Sequence, residues 1–435
     1  MKIVFLLHNV YAIGGTVRTT LNLAAALTEH GGHEVEIVSM SRHRQAPRFT
    51  VDPRITLVPL VDTREGSADT REAAYQQPSR DFPTAEKRYK QYNRLHDLRV
   101  REYLEQRCDA DVVIGTRPGI NVYLSLWGPE RAVRIAQEHL RYEAHSKKLR
   151  AVLARHYRTL DAVVTMTRAD AAVYRAKMPM PGVRVLSVPN IVPPTSVAPS
   201  DGTSKIIAAA GRLAPGKRYD LLLEAFAAVA AHEPGWELRI YGGGAQEARL
   251  RDLIAGLGLT GRARLMGAVS PIEPEFARAS IVVSTSDAES FGMTLVEAMR
   301  CGVPVVSTDA PLGPAEIITD GVDGRLVPLG DARAVAEAVT GLIENPEARR
   351  TMGEAALASA RRFDPEPIVA QYGALFSELK ATRRRRAWQR LSARAADWAR
   401  RKTRSLRSSR PGGGGGTSHD RRHRTAHGSA RPKHP

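Results

Sequence analysis

Residues 2–40, KIVFLLHNVYAIGGTVRTTLNLAAALTEHGGHEVEIVSM, decide the fold. KIVFLLH is a short, β-branched apolar run that turns polar at His8, which predicts a buried strand. From Thr16 the apolar residues Val17, Leu21, Leu23, Ala24 and Leu27 recur with helical period, and the pattern stops at Gly31-Gly32. A second strand pattern follows over 34–40. Strand, crossover helix and strand in this order predict a parallel pair and an α/β fold.

The pattern repeats outward from there. Strand signals recur at 112–114, 133–136, 162–166 and 183–188. The stretch PPTSVAPSDGTS at 193–204 has too little apolar surface to pack and reads as a linker. A second alternating series follows, with strands at 205–210, 238–241, 263–266, 280–284 and 304–308 and helices at 218–232, 246–257, 271–278 and 292–301. Two doubly wound sheets with a cleft between them are the economical reading. The expected divisions are a first domain over 1–192, the linker 193–204 and a second domain over 205–365. A helix at 366–382 then crosses back to the first domain, followed by a basic amphipathic segment at 383–410 and a disordered tail at 411–435. Residues 62–107 are charged, interrupted by proline and then helical, with Tyr89, Tyr92, Leu95 and Leu98 predicted on one face.

The formal charge of +18 is unevenly spread. Residues 383–435 hold 17 Lys and Arg against Asp397 and Asp420, a net +15, so the remainder carries only +3. The body is therefore not a nucleic-acid surface, and no reader motif is present. The 2 cysteines, Cys108 and Cys301, have no partner motif, which excludes a disulfide framework or a cysteine zinc site and fits a reducing cytoplasm. No stretch approaches the length needed to span a bilayer. Trp388, Leu391, Ala395 and Trp398 fall at helical spacing among arginines, which suits a helix lying on anionic lipid.

Two clusters carry chemistry. In DAESFGMTLVEAMRCGVP, residues 287–304, Ser290-Phe291-Gly292 lead into a helix expected to open over Phe291 to Thr294. Free amides at such an opening, with the helix dipole, favour an anion. Glu297 lies one turn inside, where a carboxylate can take both hydroxyls of a ribose. In GRLAPGKRYDLLLEAF, residues 211–226, Arg212 and Lys217 occupy a turn at a strand's carboxyl edge, where two cations can hold a diphosphate. Arg218 reads as a solvated neighbour. Asp109-Ala110-Asp111 precedes a strand instead of following one and reads as a turn, not a metal site.

These two blocks, in order over most of residues 1–380, resemble the family 4 glycosyltransferases of the GT-B fold. The resemblance implies two Rossmann-like domains facing across a cleft and transfer, with retention of configuration, from a UDP- or GDP-sugar. No cofactor or metal is expected. It implies that Glu297 binds the ribose, Glu289 lies near the transferred sugar, and Ser290 through Met293 reach phosphate or sugar through their amides. Gly14-Gly15 corresponds to the N-terminal glycine loop, which faces the phosphate and the acceptor, and His139 to a histidine beside the donor sugar. Gly243, within Gly242-Gly243-Gly244, is expected to allow close approach of the nucleotide, and Val269 to help cup the base. Catalytic roles fall to Glu289, His139, Arg212 and Lys217, and whether Glu289 is a covalent nucleophile stays open. The expected partners are a glycan, lipid-linked or wall-polymer acceptor and, through 383–410, an anionic membrane face. Location is expected to be cytoplasmic and peripheral to the membrane, with no nucleic acid bound; the sequence is silent on oligomeric state. A nucleotide-sugar epimerase or hydrolase on the same scaffold, and a nucleic-acid binder acting through its tail, are the competing readings.

Overall fold

The computed structural model describes residues 1–393 and 395. Strand β1 (Lys2–Leu7), helix Gly15–Glu29 and β2 (Glu34–Arg42) form the expected unit. With β3 (Thr56–Asp62), β4 (Val112–Gly115), β5 (Val133–Glu138), β6 (Ala162–Thr165) and β7 (Arg184–Ser187) they build a sheet ordered β3-β2-β1-β4-β5-β6-β7. Every pair is parallel. A second parallel sheet takes β8 (Ile206–Ala210), β9 (Glu237–Tyr241), β10 (Ala263–Gly267), β11 (Ile281–Ser284), β12 (Val305–Thr308) and β13 (Gly324–Val327), ordered β10-β9-β8-β11-β12-β13. The architecture is the α/β pair of doubly wound parallel sheets read from the strand and helix patterns, and it agrees with the GT-B fold that the family resemblance implied.

Parallel sheets covered on both faces need apolar side chains in both directions. In β1, Ile3, Phe5 and Leu7 enter one core while Val4 and Leu6 enter another. The first of these cores is continuous with the second sheet through Val282 and Val305, and with Ile368, Tyr372 and Phe376 of helix Pro365–Ala381. That helix follows the second sheet in sequence but packs on the first. Gln137 Nε2 donates to Tyr372 Oη at 2.7 Å, and Lys380 Nζ lies 3.1 Å from Asp111 Oδ1. Asp111 also accepts from the Lys2 amide at 3.0 Å and Asp109 pairs with Lys2 Nζ at 2.5 Å. Both aspartates thus sit in the turn before β4, at the sheet edge opposite the crevice.

Chain order reverses between β1 and β4 in one sheet and between β8 and β11 in the other. A crevice opens beyond the carboxyl ends of the strands at such a reversal, so the loops after β1, β4, β8 and β11 are where chemistry is placed.

Within 62–107 the expectation of one helical face needs correction. The helix is Arg94–Glu102, opened by Asn93, which accepts from the His96 amide in a capping box. Tyr89 sits outside it in a single 3-10 turn, and Leu98 is 43% exposed. Tyr92 and Leu95 are buried as expected, Tyr92 stacked on Phe82 with ring centroids 3.7 Å apart. Of the basic amphipathic segment, only 383–393 and 395 fall within the described residues; Trp398 and the tail lie outside them.

Candidate active site

The loop after β8 carries Arg212 and then a 3-10 turn, Pro215–Lys217. Lys217 Nζ lies 2.5 Å from Glu289 Oε1, and Ser286 Oγ donates to the same oxygen at 2.7 Å. Glu289 is thereby fixed by its neighbours on one oxygen. Arg218 turns aside to Asp220 and Asp287, at 3.1 and 3.2 Å, as a surface neighbour should. Among the described residues the Arg212 side chain has no acidic partner within ion-pair distance.

After β11 the chain runs through Glu289 and Ser290 to helix Met293–Arg300. The helix therefore opens at Met293, two residues later than expected, because Phe291 is drawn into the core against Phe363 at 5.4 Å. Gly292 stands before the helix with φ +115°, a conformation that favours glycine, and Ile317 Cδ1 would lie 3.1 Å from an added Cβ. By position, Met293 and Thr294 have amides without an acceptor inside the helix.

Gly15, Thr16, His139, Asn190, Arg212 and Lys217 line one cavity of about 560 Å³, together with Glu289 through Thr294. An adjoining cavity of about 500 Å³ is bounded by Gly14, Gly15, Arg18, Phe49, Val269 and Glu297. Gly15 and Met293 belong to both. The predicted site residues are therefore brought together, Gly243 excepted, which lines neither cavity.

The glycine triplet is put to another use. A Cβ on Gly242 would lie 1.8 Å from the Gly211 carbonyl oxygen, and one on Gly244 would lie 2.4 Å from that of Leu213. Both glycines let the loop after β9 press its backbone against the Arg212 loop. Gly243 has open space instead.

Glu297 is buried on the helix, with Arg18 Nη1 3.1 Å from its Oε1. The other Arg18 nitrogen, Nη2, reaches Glu273 Oε1 at 3.0 Å. Burial raises the Glu297 carboxyl above its ordinary range; Arg18 opposes that and Glu273 adds to it. Arg18 thus spans the crevice. Thr16 in the first turn of its helix, and Asn190 and Phe49 in loops, were missed, since single residues carry no spacing signal.

His139 follows β5. Its Nε2 lies 3.1 Å from Gln137 Oε1, whose amide nitrogen is held by Tyr372. Burial pushes the imidazole down to about 4, so it is neutral at pH 7. Among the described residues no three His, Cys, Asp or Glu side chains converge as a metal site would require.

The fold and the crevice define a GT-B type glycosyltransferase. Residues 13–196 match the family described as Glycosyltransferase Family 4, and residues 196–358 match Glycosyl transferases group 1. The chain belongs to the family 4-like glycosyltransferases. It is similar to an exopolysaccharide phosphotransferase of Streptomyces coelicolor, 33% identical over 88% of this chain and 41% of that protein, so it spans less than half of that relative's length. Among solved structures, S. aureus TarM in complex with UDP superposes with a TM-score of 0.69 at 16% identity, covering 86% of this chain and 100% of the other. Anabaena HepE in complex with UDP-glucose does so with a TM-score of 0.65 at 21% identity, covering 87% and 100%.

Proposed function

We propose that the chain transfers a hexosyl group from a nucleoside-diphosphate sugar, UDP- or GDP-linked, with retention of configuration, to a glycan, lipid-linked or wall-polymer acceptor. The observation that carries this reading is Arg212. It faces the 560 Å³ cavity without an acidic partner among the described residues, opposite the Lys217–Glu289 pair and the start of helix Met293–Arg300. An exposed guanidinium that lines a cavity without a counter-ion suits an anionic guest, and the helix amides favour the same charge.

Departure of the nucleoside diphosphate is the step to be stabilised. Arg212, Lys217 and the Met293 and Thr294 amides hold the leaving phosphates, supplying the positive charge that a divalent ion supplies in other transferases. The acceptor hydroxyl attacks the oxocarbenium-like sugar on the face the diphosphate leaves, and its proton passes to the departing phosphate oxygen. Glu297 takes the ribose and Val269 the base edge. Glu289 and neutral His139 position the sugar. The names of relatives and neighbours support a UDP-sugar donor and a polysaccharide or wall acceptor.

Calorimetric titration with UDP and GDP, followed by donor turnover with and without added acceptors, tests the reading. Binding of neither nucleotide overturns it. Donor consumption that ignores acceptor favours a hydrolase or epimerase instead.

Residues 383–410 would seat the enzyme on an anionic membrane face. Trp388 is 69% exposed, and each exposed basic residue adds roughly 1 kcal/mol near anionic lipid; Arg386 is not one of these, being 6% exposed and paired with Asp161 at 2.6 Å. Removal of everything after Lys380 should abolish flotation with phosphatidylglycerol vesicles. Unchanged flotation would discard the membrane role.

A further inference from the structure

The carboxyl edge of the first sheet holds a second group of cations, on the side of the crevice away from Arg212. His8 follows β1, Arg117 follows β4, and residues 62–107 lay Arg88 across them. Arg117 Nη2 donates to Glu86 Oε1 at 2.6 Å, and the Arg88 amide donates to Glu86 Oε2 at 3.0 Å. The Arg88 guanidinium itself meets only neutral groups, Gln91 Oε1 at 2.8 Å and His8 Nε2 at 3.5 Å. His8 is backed on its other nitrogen by Tyr92 Oη at 2.8 Å. Glu86 therefore ion-pairs with Arg117 and leaves the Arg88 guanidinium without a carboxylate in direct contact, and the Glu86 side chain is 2% exposed. The Arg117 Nε is buried without an acceptor.

Such a cluster is unfavourable as it stands. Burial lowers Arg88, and the like charges of Arg117 and of Arg212 across the crevice lower it further. Burial, Arg88 and Arg117 also hold His8 down to about 3, so it adds no charge and offers Nε2 as an acceptor. An anion between the two arginines would relieve the repulsion and supply the missing acceptor for Arg117 Nε. The donor phosphates are already provided for on the second sheet.

We propose that Arg88 and Arg117 form an anion-binding subsite for the acceptor, which carries a phosphate near the hydroxyl that receives the sugar. This rests on the transferase reading above, and it gives the insert at 62–107 a chemical role. Glu86 orients Arg117, the Tyr92–Phe82 stack supports His8, and Arg88 is presented to the ligand. The subsite is tested with the full chain saturated with whichever of UDP or GDP binds, by calorimetric titration of glycerol 3-phosphate, with glycerol as control.

Glycerol 3-phosphate should bind alongside the nucleotide while glycerol does not. Arg88→Gln should weaken it roughly tenfold or more without altering nucleotide affinity, since a hydrogen bond to a charged group is lost. Arg88 is the variant of choice because its removal strands no carboxylate; Arg117→Lys, which keeps the charge beside Glu86, should weaken binding less. Displacement of glycerol 3-phosphate by the nucleotide, or equal affinity in wild type and Arg88→Gln, overturns the subsite. Failure of both nucleotides to bind counts against the donor reading alone, because the comparison of wild type with Arg88→Gln is still read on the nucleotide-free chain.

Discussion

Arg18 Nη1 lies 3.1 Å from Glu297 Oε1, so a cation of the first domain closes onto the carboxylate assigned to the ribose in the second. Arg18→Ala leaves Glu297 and Glu273 side by side without their cation. Because Arg18 is itself 30% exposed, the loss of stability is expected at about 1–3 kcal/mol, below that of a fully buried pair. The Glu297 carboxyl is already raised by burial and would rise further without Arg18. A protonated carboxyl does not need the cation, so the destabilisation should be smaller at pH 5 than at pH 8. Urea unfolding at both pH values checks this; an equal loss at both would remove the charge argument.

Arg212→Ala and Lys217→Ala should each lower kcat/KM by roughly 30- to 1000-fold, the equivalent of about 2–4 kcal/mol for a charge-assisted contact to the leaving group. Neither is expected to unfold the chain, since neither side chain is buried. Near-normal turnover in either purified variant would end the diphosphate assignment.

The two neighbouring glycines separate packing from binding. Gly242→Ala drives a methyl to 1.8 Å from the Gly211 carbonyl oxygen and should destabilise by about 1–3 kcal/mol or more. Gly243→Ala meets open space and should change the thermal midpoint little. Differential scanning calorimetry of the pair decides; equal midpoints would mean that the loops after β8 and β9 are not pressed together.

His139 should not titrate between pH 5 and 8. Its folded-state value of about 4 lies below the ordinary 6.5, so the neutral ring contributes stability that is complete above pH 6.5 and is lost as pH falls toward 4. A nuclear magnetic resonance titration of the imidazole is the check. An inflection near 6.5 that disappears in His139→Gln would show the ring charging in solution.

Central strands were legible in the sequence because burial on both faces leaves continuous apolar runs, as in Ile3–Leu7 and Ile281–Ser284. The two strands that were missed are both edges. TLVPLVD of β3 is broken by Pro59, and GRLV of β13 is short and opens with glycine. An edge needs less apolar surface and tolerates proline, so its signal fades. At the site, the helix opening and the Arg212–Lys217 turn could be read from local chemistry. Arg18 could not, because its carboxylates are 255 and 279 residues away in sequence and only tertiary folding brings them near. The Arg88 group was invisible for the same reason.

Helix Pro365–Ala381, which leaves the second sheet to rest on the first, has a mechanical result. The chain passes from one half to the other twice, and the passages touch where the Val192 amide donates to the Phe363 carbonyl at 3.1 Å. Two fastenings at one place act as the spine of a book. Such a fastening resists sliding of one half along the other and so holds Arg212 and His139 in register across the crevice.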